Sequence, residues 1–120
     1  MTPRKLLIVD DSKLMHKMYE VMLRRYPLVY ALDGRQALDR LNAHSDIDLV
    51  LLDTNMPNMA AEEFMLELRA QQDRPPRVIL ISTEGRNDPI EGVDASIAKP
   101  FTAEQIEATI AQLPDVKADS

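Results

Sequence analysis

Short apolar runs that stop at polar side chains constrain this chain more than any single motif in it. Leu49-Val50-Leu51-Leu52 ends in Asp53 and is closed by Met56-Pro57. Lys5 to Val9 ends in Asp10-Asp11, Val78 to Ile81 in Ser82-Thr83, and Asp94 to Ala98 in Lys99-Pro100-Phe101. Runs this short, rich in Val, Ile and Leu, have the length of buried strands rather than helices. A strand buried on both faces delivers its polar residue only where the chain leaves the core. Each of these endings therefore marks an edge.

Between the runs the period changes. From Ser12, the residues Leu14, Met18, Val21 and Met22, with Met15 beside them, recur at three- and four-residue spacing as far as Leu23. This predicts a helix of about four turns along that stripe, capped by Asp11 or Ser12 and ended before Pro27. Leu28 to Leu32 reads as the second strand, Asp33-Gly34 as a turn, and Ala37, Leu38 and Leu41 as the face of a second helix. Asp46 to Asp53 is the third strand. Ala61, Phe64, Met65 and Leu68 mark the buried face of a third helix running to about Ala70. Pro75-Pro76 breaks the chain before the fourth strand. The segment from Glu84 to Gly92 has room for at most one helical turn, with two glycines, a proline and no apolar period. Thr102 and Gln105 form a capping box ahead of Ile106, Thr109, Ile110 and Leu113. Pro114 stops that helix, which gives a domain over residues 1–114 and a polar tail, or the start of a linker, over 115–120.

Strands alternating with helices imply an α/β fold, with parallel strands, right-handed crossovers and helices on both faces. In such open sheets ligands bind outside the carboxyl ends of the strands. Asp10-Asp11, Asp53, Ser82-Thr83 and Lys99 are therefore expected at one edge. Composition limits what that edge does. A chain of 120 residues with 45% hydrophobic content supports one domain, and a net charge of -6 disfavours nucleic acid, with no local basic patch beyond Arg24-Arg25. The absence of cysteine removes disulfides, thiol catalysis and thiolate zinc sites. Nothing approaches the roughly 18 apolar residues of a membrane span, and the expectation is a soluble cytoplasmic protein.

Three carboxylates brought together at neutral pH repel unless a cation compensates. A hard divalent ion with oxygen ligands answers this, and Mg2+ suits two or three carboxylates plus a backbone carbonyl. Asp10, Asp11 and Asp53 are the acids and the Asn55 carbonyl the neutral candidate. One carboxylate is also a candidate nucleophile, since aspartyl phosphates are known covalent intermediates. A transferred phosphoryl group needs donors, and Lys99 and Ser82 are of the right types.

These residues, in this order, resemble the receiver domain of two-component response regulators. The likeness runs from about Lys5 to Leu113. It implies a flavodoxin-like, doubly wound, five-stranded sheet of order 2-1-3-4-5. It also implies that Asp53 accepts phosphate from the phosphohistidine of a histidine kinase or histidine phosphotransfer protein. By the same likeness Asp10, Asp11, Asp53 and the Asn55 carbonyl hold Mg2+, Lys99 pairs with the phosphoryl group and Ser82 is the switch hydroxyl. Thr83 and Glu84 are then modulators. Asp53-Thr54-Asn55-Met56-Pro57-Asn58-Met59 with Glu84 is most similar to single-domain chemotaxis regulators.

Three positions depart from the family pattern. Ser96 stands where an aromatic residue usually transmits the switch. The fourth helix is shortened or replaced by a loop. Ala60-Ala61 replaces the Asp-Gly that commonly opens the third helix, which the loop is expected to absorb. Ser96 and the missing helix motivate a second reading, a receiver-fold scaffold that signals without phosphate. A third, an aspartyl-phosphate hydrolase, lacks both the second acid two residues after Asp53 and space for a cap domain. His16 and His44 read as surface residues. Ser12, Lys13 and His16 lie beside the acidic pair as candidate contacts for the phosphodonor, with a plain solvated face as the alternative.

Overall fold

The computed structural model describes residues 4–82 and 90–113. Its elements run β1 (Lys5–Val9), α1 (Lys13–Met22), β2 (Leu28–Ala31), α2 (Gly34–Ala43), β3 (Ile47–Asp53), α3 (Ala61–Gln71), β4 (Arg77–Ser82), β5 (Ala95–Ala98) and α4 (Ala103–Gln112). The strands form one sheet of order β2-β1-β3-β4-β5, and every pairing is parallel. This is the flavodoxin-like order that the resemblance implies. Among the described residues no helix lies between β4 and β5. Residues 83–89, with most of the segment expected to be shortened, are outside those described, as are Pro114 and the tail.

Alternation along the strands decides which helix covers which face. Leu7, Val9, Val50, Leu52, Val78 and Leu80 point to one side and pack with Ala37, Leu38 and Leu41 of α2 and Ala61, Phe64, Met65 and Leu68 of α3. Leu6, Ile8, Leu49, Leu51, Ile79 and Ile81 point to the other, against Tyr19 of α1, Leu23, and Ile106 and Ile110 of α4. Central strands buried on both faces explain why their sequences read as unbroken apolar runs. The capping box at Thr102 and Gln105 forms as read.

The expected stripe on α1 is corrected in part: Met15 and Met22 pack against the core and Leu23 is buried in it, but Leu14, Met18 and Val21 face out. Leu14 is 70% exposed, Met18 47% and Val21 69%, whereas Tyr19 is 1% exposed and Leu23 fully buried. The helix carries two apolar sets about one residue apart in phase, 14/18/21 and 15/19/22/23. Helical spacing fits both equally. The set holding the aromatic ring buries more area and wins the core.

The β3–α3 loop absorbs the two alanines, as expected. Ala60 has φ -68, and the left-handed residue is Asn58 at φ 70, a residue type that tolerates this region. The Asn58 side chain donates to Asp33 Oδ2 at 3.3 Å, and Met59 packs over the first residue of α2. A Cβ on Gly34 would lie 2.7 Å from Met59 Sδ. Gly34→Ala is therefore expected to destabilise the fold. Overpacking costs about 1–3 kcal/mol, more than the roughly 1 kcal/mol that alanine gains over glycine inside a helix. An unchanged thermal midpoint would mean that Met59 moves aside freely.

Candidate functional site

The register of β1 on β3 sets Val9 opposite Leu52, so the next residues, Asp10 and Asp53, leave adjacent strands side by side. Asp10 is 2% exposed and Asp53 4%. Asp11 stands at the solvent rim. One carboxylate oxygen from each of the three lies within 4.8 Å of the others. The edge expected from the strand endings thus brings its acids together.

Donors surround two of them. Ser12 N donates to Asp10 Oδ1 at 2.9 Å. Asn55 N donates to Asp53 Oδ1 at 3.2 Å, and Lys99 Nζ reaches the same oxygen at 3.4 Å. Lys99 follows β5 directly, and its N–H donates to Ser82 O at 2.8 Å, which ties the hydroxyl-bearing end of β4 to the lysine. Ser82 is itself buried. Asn55 lies exposed at the rim, and Thr83 and Glu84 fall outside the described residues.

Charge does not balance within this set: three carboxylates face one lysine. Burial is the largest cause of a raised Asp10 pKa, and the charges of Asp53 and Asp11 add to it, while the Ser12 N–H and the Lys99 ammonium act against it. Asp10 Oδ2 is buried with no hydrogen-bond partner. An unpartnered buried carboxylate oxygen among hard oxygen donors fits a small divalent cation such as Mg2+.

Two residues matter here, one read from sequence as a surface residue and one that the sequence pattern did not single out. His16, read as a surface residue, is half-buried. Its Nε2 lies 2.7 Å from the Asp10 carbonyl oxygen, and its ring is 4.9 Å from that of Tyr30. Tyr19 stacks on Phe101, with ring centroids 5.9 Å apart, so an aromatic pair joins α1 to the chain just beyond Lys99. His16 lies six residues after Asp10, close enough along the first turns of a helix to reach back, and that spacing was the available signal. Ser96, on β5 opposite Leu80, is exposed.

A family description of the response regulator receiver domain matches residues 6–111. The chain belongs to this family. The receiver domain is a part of two-component systems and a signalling domain rather than a conventional enzyme. It is 34% identical over 109 residues to a chemotaxis protein CheY homolog of Campylobacter jejuni, covering 82% of each chain. It is also 34% identical over 113 residues to the cell cycle response regulator CtrA of Brucella ovis, where the match spans 89% of this receiver but 48% of that protein. In structure it resembles the chemotaxis protein CheY4 of Vibrio cholerae, with a TM-score of 0.81, 28% identity and coverage of 94% of this chain and 100% of that one. No helix among the described residues is long and apolar enough to cross a membrane.

Proposed function

We propose that this receiver takes a phosphoryl group onto Asp53 from the phosphohistidine of a histidine kinase or histidine phosphotransfer protein, and that the product changes its affinity for a downstream protein. One observation carries the reading: Asp53 is buried at the end of the central strand, with Lys99 Nζ 3.4 Å from one carboxylate oxygen and two further acids within reach. Oδ1 accepts from Lys99 and Asn55, which leaves Oδ2 to attack phosphorus. The bond from phosphorus to the donor imidazole nitrogen breaks as the new P–O bond forms, and the imidazole departs with the electron pair. Lys99 then pairs with the phosphoryl oxygens, and the Ser82 hydroxyl is the switch donor. Asp10, Asp11, Asp53 and the Asn55 carbonyl would hold Mg2+, which supplies neutralisation of the charge gathering at the site. Cytoplasmic residence and the absence of direct nucleic-acid contact belong to the same reading.

The test is intact mass after incubation with a small acyl phosphate and Mg2+. A gain of one phosphate supports the reading, and no gain under saturating donor refutes it. The exposed Ser96 favours a second reading, a scaffold that signals without phosphate. Equal affinity for a partner before and after phosphorylation would select it.

The α1 face completes the proposal. Leu14, Met18 and Val21 form an exposed apolar row starting just past the Ser12 cap, beside Lys13 and His16, and three large apolar groups in line suit a helical partner. Leu14→Asp with Met18→Glu is expected to slow transfer from a histidine phosphotransfer protein that phosphorylates the wild type by about tenfold, equivalent to ~1.4 kcal/mol. The same variant should react with the small acyl phosphate at the wild-type rate. Equal losses with both donors would show that the row serves the fold rather than docking.

A further inference from the structure

We infer that His16 is a positioning residue for the acidic site, holding the peptide between Asp10 and Asp11 in the orientation that cation binding needs. The inference rests on the Mg2+ reading of that site. The Asp10 carbonyl falls in a gap between two hydrogen-bond ladders. β1 ends at Val9, and the bond that opens α1 runs from His16 N to Ser12 O. A carbonyl in such a gap needs a side-chain donor or water, and His16 Nε2 meets it at 2.7 Å.

The rest of Asp10 is held just as closely. Its N–H donates to Ala31 O at 3.1 Å, and its Oδ1 accepts from Ser12 N at 2.9 Å. His16 therefore adds a third anchor, on the carbonyl itself. Turning the Asp10–Asp11 peptide would carry the Asp11 side chain away from the other two acids, so one contact governs the placement of two candidate ligands. A carbonyl only accepts, so Nε2 must carry the proton. The Tyr30 ring packs against the imidazole, 4.9 Å away and tilted by 31°. Tyr30 lies on β2, so the second strand, the first helix and the acids are joined through one ring.

Three variants separate the donor from the ring. In His16→Gln an amide nitrogen takes the Nε2 position without the ring, His16→Phe keeps a ring against Tyr30 without a donor, and His16→Ala has neither. The whole chain is titrated with Mg2+ by calorimetry, with thermal melts in EDTA alongside. Loss of a group that orients a metal ligand weakens binding by about tenfold or more. The Phe and Ala variants should show a loss of about that size, with Gln close to the wild type, whatever the order of their melting temperatures. In the wild type, imidazole 15N shifts should report the Nε2–H tautomer. Equal affinity of the Phe variant and wild type overturns the inference, as does a Gln variant as weak as Phe, or a dominant Nδ1–H tautomer. A wild type that binds no Mg2+ refutes the Mg2+ reading, and the inference with it. That failure is distinct, because it is visible before any variant is compared.

Discussion

Asp53→Asn is expected to abolish phosphorylation outright while leaving the fold intact. The amide keeps the shape of the carboxylate, and its oxygen can still accept from Asn55 N and Lys99 Nζ, the two donors to Oδ1. It lacks the second anionic oxygen that attacks phosphorus, and an amide is a poor nucleophile at neutral pH. Intact mass after treatment with a small acyl phosphate should show one added phosphate on the wild type and none on the variant. The thermal midpoint in EDTA should not fall, because one charge leaves a crowded set of acids. Phosphate on the variant at the wild-type level would mean that another side chain accepts it. Asp10 and Asp11 are then the nearest candidates, and peptide mapping of the phosphorylated variant would separate them.

How far the sequence carries such predictions depends on the kind of signal each residue leaves. Asp53, Asp10, Ser82 and Lys99 were legible because each ends an apolar run, and a polar group there has nowhere to go but the strand's carboxyl edge. Parallel pairing then does the rest: once Val9 lies opposite Leu52, Asp10 and Asp53 are neighbours whatever the loops do. Helix faces were less legible. α2, α3 and α4 each carry one apolar set, and each buried that set. α1 carries two, and periodicity alone cannot choose between Leu14-Met18-Val21 and the set holding Tyr19. The choice is made by partners from distant segments, Ile106 and Ile110 of α4 among them. His16 was missed for a related reason, since its value lies in a backbone carbonyl, which the six-residue spacing from Asp10 permits it to reach but does not single out. The β3–α3 loop shows the same limit, because residue identity did not reveal that Asn58 rather than Ala60 takes the left-handed conformation.

Asp10→Asn is expected to move stability and cation binding in opposite directions. The folded Asp10 pKa lies above its ordinary value, chiefly through burial, with Asp53 and Asp11 adding repulsion. Between the ordinary and the raised value the folded protein holds more protons than the unfolded chain, so stability falls as pH rises through that window. Above that window the whole penalty is present. Asparagine removes it and still accepts the Ser12 N–H through its oxygen. In EDTA at neutral pH the variant should therefore melt higher, by about 4 °C for each kcal/mol recovered. The gain should shrink as pH drops toward the ordinary carboxylate range, where the wild type also becomes neutral. With Mg2+ in excess the order should reverse. A ligand at 100 times its dissociation constant stabilises the folded state by about 2.7 kcal/mol, and that gain goes to the wild type, whose buried Asp10 Oδ2 has no other partner. Melts of both proteins in EDTA and in saturating Mg2+, at neutral and acid pH, give the comparison. A variant that is less stable in EDTA would show that Asp10 is no burden to the metal-free fold. A variant that gains as much from Mg2+ as the wild type would remove Asp10 from the cation site.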